Sequence, residues 1–299
     1  LLTVTGVQTC ALPICPSSLQ AWLASQPERL AAHGLLYPLA ARRGVAHHRL
    51  AEALSPKALR ERPEACQAAI TECQAALASE WQAARLRQPG LRLLLSSEAF
   101  QNARPADVSA VFPGQRAQVL VYLREQADYL VSGYQQLVHA QTASDDLATH
   151  ALRPPVDYAR FLGAWEAPWG PEALTVAVYA RSALRHGSMV DDALHRLGVD
   201  VDTRDDPVQT DQNPSIGGAL LELKRVLNHR VPTAQWPRQL YQAFSRAAAS
   251  DPLLRRRPPL DESTVASVRE RCAAGNAEDR KSTRLNSSHS QQSRMPSSA

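Results

Sequence analysis

Three short apolar runs, separated by stretches with helical periodicity, constrain the fold of this chain most strongly. They lie at residues 91–95, 119–123 and 174–179. A compact apolar run between turn signals suits a strand that is buried on both faces, which is typical of parallel sheets. Short strands that alternate with helices therefore predict an α/β fold, in which helices cover both faces of a parallel sheet.

The rest of the periodic pattern is helical. Apolar residues at helical spacing predict a first helix that Ser17 or Ser18 caps and Gly34 ends, followed by a short strand at 35–38. Further helices are predicted at 64–85, 125–141, 157–165, 189–197, 215–228, 236–248 and 261–274. The sequence has no internal repeat and predicts one domain.

Composition excludes several classes of protein. Of the 299 residues, 44% are hydrophobic and 21% are charged, which describes a globular chain. The sequence has no run of 18 apolar residues, so we expect no membrane span. The five cysteines are an odd number without paired CxxC spacing, which argues against a disulfide framework and a zinc site. A reducing, cytoplasmic compartment is the expectation.

The two terminal segments have an unusual relation. Residues 4–14 read VTGVQTCALPI and residues 279–289 read DRKSTRLNSSH. Codons can be chosen for these peptides that are reverse complements over all eleven residues, and the nucleotides match a common sequencing-library adapter. Selection on a protein does not create such a repeat. We therefore expect residues 1–15 and 279–299 to be translated adapter, and residues 16–278 to be the native single domain.

The net charge changes once this tail is set aside. Without residues 279–299 the basic residues fall from 33 to 29 and the acidic residues from 29 to 28, which leaves a net charge of about +1. A nearly neutral domain lacks the electrostatic signature of nucleic-acid binding. We expect no nucleic-acid partner.

Two segments carry a resemblance to a known family. They are LVYLREQADYLVSGYQQ at 120–136 and SSLQAWL at 17–23, and weaker similarities lie at 34–38, 93–100, 157–181 and 213–228, in the order that the family has. The chain resembles the bacterial P-loop sulfotransferases, which use 3′-phosphoadenosine-5′-phosphosulfate (PAPS) as donor. The resemblance implies a P-loop NTPase-like sheet, a glycan or other small-molecule acceptor, and no metal requirement.

The resemblance also implies residues that bind the donor. Arg124 closes a strand and Ser132 follows on the next helix, as in the family's 3′-phosphate site. A guanidinium offers a planar fork to phosphate oxygens, and α/β sheets bind ligands at the carboxyl ends of their strands. Without this resemblance, Arg124 reads as a solvated strand-end residue and Ser132 as a small packing residue.

Ser17 and Ser18 match the end of the family's phosphosulfate loop, and by themselves read equally well as a helix cap. The preceding residues are Pro13, Ile14, Cys15 and Pro16, where the family has Lys, Thr, Gly and Thr. The resemblance thus implies that the first strand and most of the phosphate loop are missing. We expect the printed chain to be inactive and to fold poorly.

Three residues are candidates for the base that takes a proton from the acceptor. Glu98 follows a predicted strand, His47 and His48 are adjacent on a predicted helix, and two neighbours on a helix cannot face the same group. Glu98 is preferred and His48 is the second choice. The alternatives are a carboxylate at a helix N-terminus and polar surface histidines.

Other residues are expected to be structural. Trp165, Trp169 and Tyr179 should fill the core or line its edge. Cys66 and Cys73 should be small buried residues on one helix face.

Two other functions remain open from the sequence. An ATP-dependent P-loop kinase would share the alternation of strands and helices, but it should show a GxxxxGK[ST] loop and a carboxylate for Mg²⁺, and the chain shows neither. The chain could instead be a non-catalytic helical interaction protein. In that case the phosphate loop would be genuinely missing, and the protein would bind no adenine nucleotide.

Overall fold

The computed structural model describes residues 2–6, 16–140, 143–154, 157–203, 206, 216–230 and 238–281. Side chains are described in the same ranges except at 2–6, 16–17, 140, 238 and 278–281. Most of the adapter-like sequence, residues 7–15 and 282–299, lies outside the described residues, and so does the Ser17 side chain.

Helices and strands alternate through the first two thirds of the chain, and helices make up the last third. The strands are β1 Leu2–Gly6, β2 Leu35–Leu36, β3 Arg92–Ser96, β4 Ala117–Leu123 and β5 Leu174–Val178. The helices are α1 Pro16–Ser25, α2 Pro27–Ala32, α3 His48–Ala53, α4 Pro56–Glu61, α5 Pro63–Arg87, α6 Pro105–Val111, α7 Gln126–Ala140, α8 Leu147–Ala151, α9 Tyr158–Glu166, α10 Met189–Arg196, α11 Gly218–Arg230, α12 Arg238–Ser250 and α13 Glu262–Lys281.

Within the described residues, the strands form one parallel sheet in the order β2-β3-β1-β4-β5. The chain runs from the centre to one edge and then returns to build the other side, so the sheet is doubly wound. In such sheets ligands bind beyond the carboxyl ends of the strands, where the winding reverses. The predicted α/β class with a parallel sheet flanked by helices is confirmed.

The sheet is buried on both faces because successive side chains point in opposite directions. On one face Leu93, Val119 and Val176 pack in a cluster that α3, α5, α6 and α9 complete. On the other face Leu94 and Leu120 pack against α1, α2 and α10. These side chains are less than 10% exposed, which explains why the three strands read as continuous apolar runs.

The expectation that the first strand is missing is wrong. Residues 2–6 form β1, which pairs with β3 on one side and with β4 on the other. The sequence LTVTG contains β-branched residues that suit a strand, and the ladder needs only backbone groups, which any non-proline sequence supplies. The strand position is therefore filled by residues that belong to the adapter-like segment.

Most predicted helices and strands are confirmed within a few residues. The exception is the first helix, which was expected to continue to Gly34. It is divided into α1 and α2 because Pro27 lacks the N–H that a continuous helix needs. Cys66 and Cys73 are buried on α5, as predicted. None of the helices in the described part of the chain is long and apolar enough to cross a membrane.

A buried polar group fixes the position of α10 against the sheet. The Tyr122 hydroxyl on β4 donates to Asp192 Oδ2 over 2.6 Å, and Arg196 Nε donates to the same oxygen over 2.6 Å. Asp192 and Tyr122 are 3% and 0% exposed, so the carboxylate is paired as a buried charge must be. Burial next to this carboxylate raises the pKa of Tyr122, which keeps the phenol neutral.

His47 is a structural residue that joins the ends of β2 and β3. The Ser96 backbone N–H donates to its Nδ1 over 3.1 Å, and its Nε2 lies 3.1 Å from the Pro38 carbonyl oxygen, to which it donates. The ring is fully buried, and burial lowers its pKa to about 3. Both ring nitrogens are engaged, so His47 is not available as a base.

The burial of His47 makes stability depend on pH. Its folded-state pKa of about 3 lies below the unfolded value near 6.5, so the unfolded chain binds the proton more readily. The stabilising contribution is complete above about pH 6.5 and is lost as the pH falls towards 3. We expect the advantage of the wild type over His47→Asn, measured by urea unfolding, to shrink by about 3 kcal/mol between pH 7.5 and pH 4.

The exposed His229 provides the control for this prediction. The difference between wild type and His229→Asn should stay constant over the same pH range. A constant difference for His47→Asn as well would contradict the role of His47.

Candidate active site

The polar residues of interest follow the strands at the carboxyl edge of the sheet. Glu98 comes two residues after β3 ends, Arg124 comes directly after β4, and α1 begins on the same side of the sheet, following β1. Since β1 lies between β3 and β4, the last residues of these two strands flank the end of the central strand. This edge is where the doubly wound topology predicts a ligand site.

Glu98 is the centre of a hydrogen-bonded cluster. Gln20 Nε2, on α1, donates to Glu98 Oε2 over 3.1 Å, and His48 Nε2, on α3, lies 3.6 Å from Glu98 Oε1. Gln20 is 2% exposed, whereas the Glu98 side chain is 38% exposed. Three separate parts of the chain thus meet at one carboxylate that still reaches solvent.

His48 is held from its other ring nitrogen. Its Nδ1 lies 2.8 Å from Ser97 Oγ, which also accepts the Ala99 backbone N–H over 3.1 Å and so caps the short 3-10 helix Glu98–Asn102. The structure therefore brings Glu98 and His48, two predicted site residues, into one cluster. Both nitrogens of His48 face a protein group, whereas the Glu98 carboxylate remains partly exposed to solvent.

Most of the Arg124 side chain is buried. That side chain is 9% exposed, and its guanidinium carbon stands 5.7 Å from the centre of the Tyr179 ring, which follows β5. The Tyr158 hydroxyl donates to the Arg124 carbonyl oxygen over 2.7 Å. A cation next to an aromatic face, at the end of a strand, is a suitable place for an anion.

A carboxylate is close to this arginine. Asp128, in the first turn of α7, has Oδ2 3.9 Å from Arg124 Nε and forms an ion pair through Oδ1 with Arg257. Glu125 and Arg269 pair nearby over 3.2 Å. Asp128, Arg257, Glu125 and Arg269 line a cavity of about 290 Å³ between α7 and the segment before α13. The basic and acidic groups of this cavity are paired with one another.

The three serines of the predicted donor site lie on two different helices. Ser18 is in the first turn of α1 and is half-buried, and the side chain of Ser17 lies outside the described residues. Ser132 is in the second turn of α7 and is fully buried. Both α1 and α7 begin at the carboxyl edge of the sheet, after β1 and β4 respectively.

Three residues at this edge were not predicted to take part in the site: Gln20 and Ser97 were not singled out, and Tyr179 was expected to fill the core or line its edge. Gln20 reaches the carboxylate from α1, and Ser97 contacts His48; Tyr179 lies against Arg124 and not only in the core. Gln20 stands in the SSLQ segment and Ser97 directly after a predicted strand, so their positions gave a signal. The direction of each side chain did not follow from the sequence.

A larger cavity of about 450 Å³ lies elsewhere, next to α10. Arg185, His186, Asp191 and His195 line it, and they are paired among themselves: Arg185 Nη1 lies 2.5 Å from His195 Nδ1, and His186 Nδ1 lies 3.4 Å from Asp191 Oδ2. Among the described residues, no group of three or more His, Cys, Asp or Glu side chains is arranged to hold a metal ion.

No known protein-family profile matches the sequence, and no curated protein matches it. Two solved structures that are similar to this chain are sulfotransferases. The sulfotransferase from Alicyclobacillus acidocaldarius is 14% identical, covers 81% of this chain and 99% of its own, and superimposes with a TM-score of 0.41. The sulfotransferase domain of the Synechococcus PCC 7002 olefin synthase is 13% identical, with 84% and 94% coverage and a TM-score of 0.34.

The hydrogen bond between Gln20 and Glu98 predicts that a second carboxylate at this contact destabilises the fold and that exchanging the two side chains restores stability. In Gln20→Glu a second carboxylate would stand about 3 Å from Glu98, and the repulsion should lower the free energy of unfolding by about 1–3 kcal/mol at pH 7. The double variant Gln20→Glu/Glu98→Gln exchanges the two groups and should recover most of this loss. Urea unfolding of the two single variants and the double variant measures the coupling, and purely additive effects would show that the contact is not made.

Proposed function

We propose that this fold carries out sulfuryl transfer from PAPS to a hydroxyl or amine of a glycan or other small-molecule acceptor. The observation that supports the proposal most directly is the hydrogen bond from Gln20 to Glu98. It joins a solvent-accessible carboxylate to the first turns of α1, the helix whose N-terminus follows the central strand. A proton acceptor and a site for a negatively charged group thus stand side by side.

The role of each group follows from the balance of the reaction. The acceptor oxygen or nitrogen attacks sulfur and forms a new bond to it, and the bond from sulfur to the 5′-phosphate oxygen breaks. That oxygen takes the electron pair, and the proton of the acceptor passes to Glu98. The products are the sulfated acceptor, 3′,5′-adenosine bisphosphate and the protonated carboxyl group.

Glu98 is the base in this proposal because its environment suits the role. Gln20 donates to one carboxylate oxygen and His48 faces the other, so the group is oriented while part of it stays exposed. His48 is the weaker candidate, since Ser97 occupies its Nδ1 and Glu98 its Nε2. Each Glu98 oxygen has a second lone pair that can take the acceptor proton while these contacts are kept, whereas neither ring nitrogen of His48 has a lone pair to spare.

Arg124 and Ser132 are proposed to bind the 3′-phosphate, and Ser17 and Ser18 the 5′-phosphosulfate. The burial of Arg124 supports this assignment, because a guanidinium in a site of reduced dielectric binds an anion more strongly than an exposed one. Asp128 stands 3.9 Å from Arg124 Nε and reduces this attraction. A doubly charged phosphate would compete with that single carboxylate.

The printed sequence lacks one element that this reaction needs. From Val7 to Pro16 it contains no basic residue, and Pro16 offers no N–H at the start of α1. The leaving phosphate gains negative charge as the sulfur–oxygen bond breaks, and a cation at this position stabilises that charge. We therefore propose that the chain as printed retains the base and binds the nucleotide weakly, and that it transfers sulfuryl groups poorly.

Binding of the product nucleotide tests the donor site. Arg124→Gln should weaken binding of 3′,5′-adenosine bisphosphate by about 10- to 100-fold, because it removes a charge-assisted contact. Binding of 5′-AMP, which has no 3′-phosphate, should change little. Isothermal titration calorimetry measures both ligands, and the exposed Arg87→Gln is the matched control. Equal losses for the two nucleotides would place Arg124 outside the 3′-phosphate site, and tighter binding of Mg·ATP would favour a kinase.

Restoration of the loop tests the reaction. The combined change Pro13→Lys, Ile14→Thr, Cys15→Gly and Pro16→Thr recreates the family's loop, and we expect the rate of sulfuryl transfer to rise by about 10²-fold or more. Transfer from ³⁵S-labelled PAPS to a panel of glycans and small phenols provides the assay. Adding Glu98→Gln to the restored chain should abolish the gain. A restored chain that binds the bisphosphate and transfers nothing would contradict the proposal.

A further inference from the structure

We infer that Ser97 is a positioning residue, whose hydroxyl donates to His48 Nδ1 and thereby directs the Nε2–H of His48 towards Glu98. The inference rests on the proposed role of Glu98 as base. It concerns a residue that follows β3 and caps the 3-10 helix Glu98–Asn102.

The hydrogen atoms at Ser97 can be accounted for completely. Ser97 is fully buried, so its hydroxyl cannot donate to solvent. One lone pair of Oγ accepts the Ala99 N–H over 3.1 Å, and among the described residues the only other polar neighbour of Oγ is His48 Nδ1, at 2.8 Å. If Nδ1 carried the proton, the Ser97 hydroxyl hydrogen would be left buried without an acceptor, which is unfavourable.

Donation from Ser97 to Nδ1 leaves the single ring proton of neutral His48 on Nε2. That nitrogen lies 3.6 Å from Glu98 Oε1, so its N–H faces the carboxylate. Gln20 donates to the other oxygen over 3.1 Å. The opposite tautomer would direct a nitrogen lone pair at the carboxylate, and the two groups would repel each other. Ser97 therefore acts on Glu98 through His48.

The two histidines of the HH pair are fixed in the same tautomer by different donors. The Ser96 backbone N–H donates to Nδ1 of His47, and the neighbouring Ser97 hydroxyl donates to Nδ1 of His48. His47 accordingly donates from Nε2 to the Pro38 carbonyl oxygen, away from the site. A side-chain substitution cannot remove the backbone N–H that donates to His47, but it can remove the Ser97 hydroxyl that donates to His48.

The ¹⁵N chemical shifts of the His48 ring, assigned with His48→Gln, report the tautomer directly and need no enzymatic activity. In the wild type we expect the Nε2–H form to predominate. Ser97→Ala removes the donor, so the ratio of Nε2–H to Nδ1–H should fall several-fold. Ser97→Asp keeps an acceptor for Ala99 N–H but has no hydrogen to donate, so it should reverse the preference. Ser97→Thr keeps the hydroxyl and should retain the wild-type tautomer.

Ser188 provides a matched control. It caps α10 by accepting the Asp191 N–H over 3.2 Å and does not contact His48, so Ser188→Ala loses a comparable cap and should leave the His48 ring unchanged. An unchanged tautomer in both Ser97→Ala and Ser97→Asp would overturn the inference. In the loop-restored chain, Ser97→Ala should lower kcat several-fold with the donor KM unchanged. Absence of any transfer there would count against the proposed function, while the ring spectra would still decide the role of Ser97.

Discussion

The insertion of β1 between β3 and β4 is the constraint on which the candidate site depends. Neighbouring strands lie about 4.8 Å apart, so β3 and β4 stand about 10 Å from each other with β1 between them. This separation sets Glu98 and Arg124 on either side of the end of the central strand. If β3 and β4 paired directly, there would be no room above the sheet edge for a bound anion between these groups.

The backbone of β1 explains why a sequence of adapter-like character can hold this place. A parallel strand is fixed by its N–H and C=O groups, which do not depend on the identity of the side chains. Because β3 and β4 are apolar on both faces, the fold needs a strand between them. The β-branched LTVTG segment takes this position and pairs with both. The requirement for a strand is thus general, and many sequences meet it.

The fold could be predicted from the sequence to a large extent, since its signals are local. The apolar runs at 91–95, 119–123 and 174–179 predicted strands buried on both faces. Apolar residues at helical spacing predicted α5 and α7. The division between α1 and α2 was missed although Pro27 signals it, because the apolar spacing continues across the proline. The position of β1 was not predicted, because residues 1–15 were expected to be translated adapter and not part of the fold.

The site could be predicted only in part. Glu98 was predicted from its place after a strand and Arg124 from the family resemblance, and the topology brings the two strand ends to one edge. The sequence analysis ranked His48 ahead of the adjacent His47, but no sequence signal explains why their surroundings differ. One is fully buried between backbone groups, and the other faces Glu98, and this difference depends on the packing of α3 against β3. The contact between Gln20 and Glu98 spans 78 positions of the chain and has no local signal.

The fold and the proposed chemistry depend on different groups of the chain. Backbone pairing holds the sheet, and the cluster of Gln20, His48 and Ser97 around Glu98 lies entirely within the described residues after Ser17. In the proposed reaction, neutralisation of the leaving phosphate depends instead on a basic side chain before α1, and residues 7–16 contain none. The proposed base Glu98 and the proposed phosphate ligand Arg124 lie outside residues 7–16, whereas the basic residue that the proposed reaction needs would lie within them. Backbone pairing of a central strand can be supplied by many sequences, while the proposed catalysis needs a particular kind of side chain.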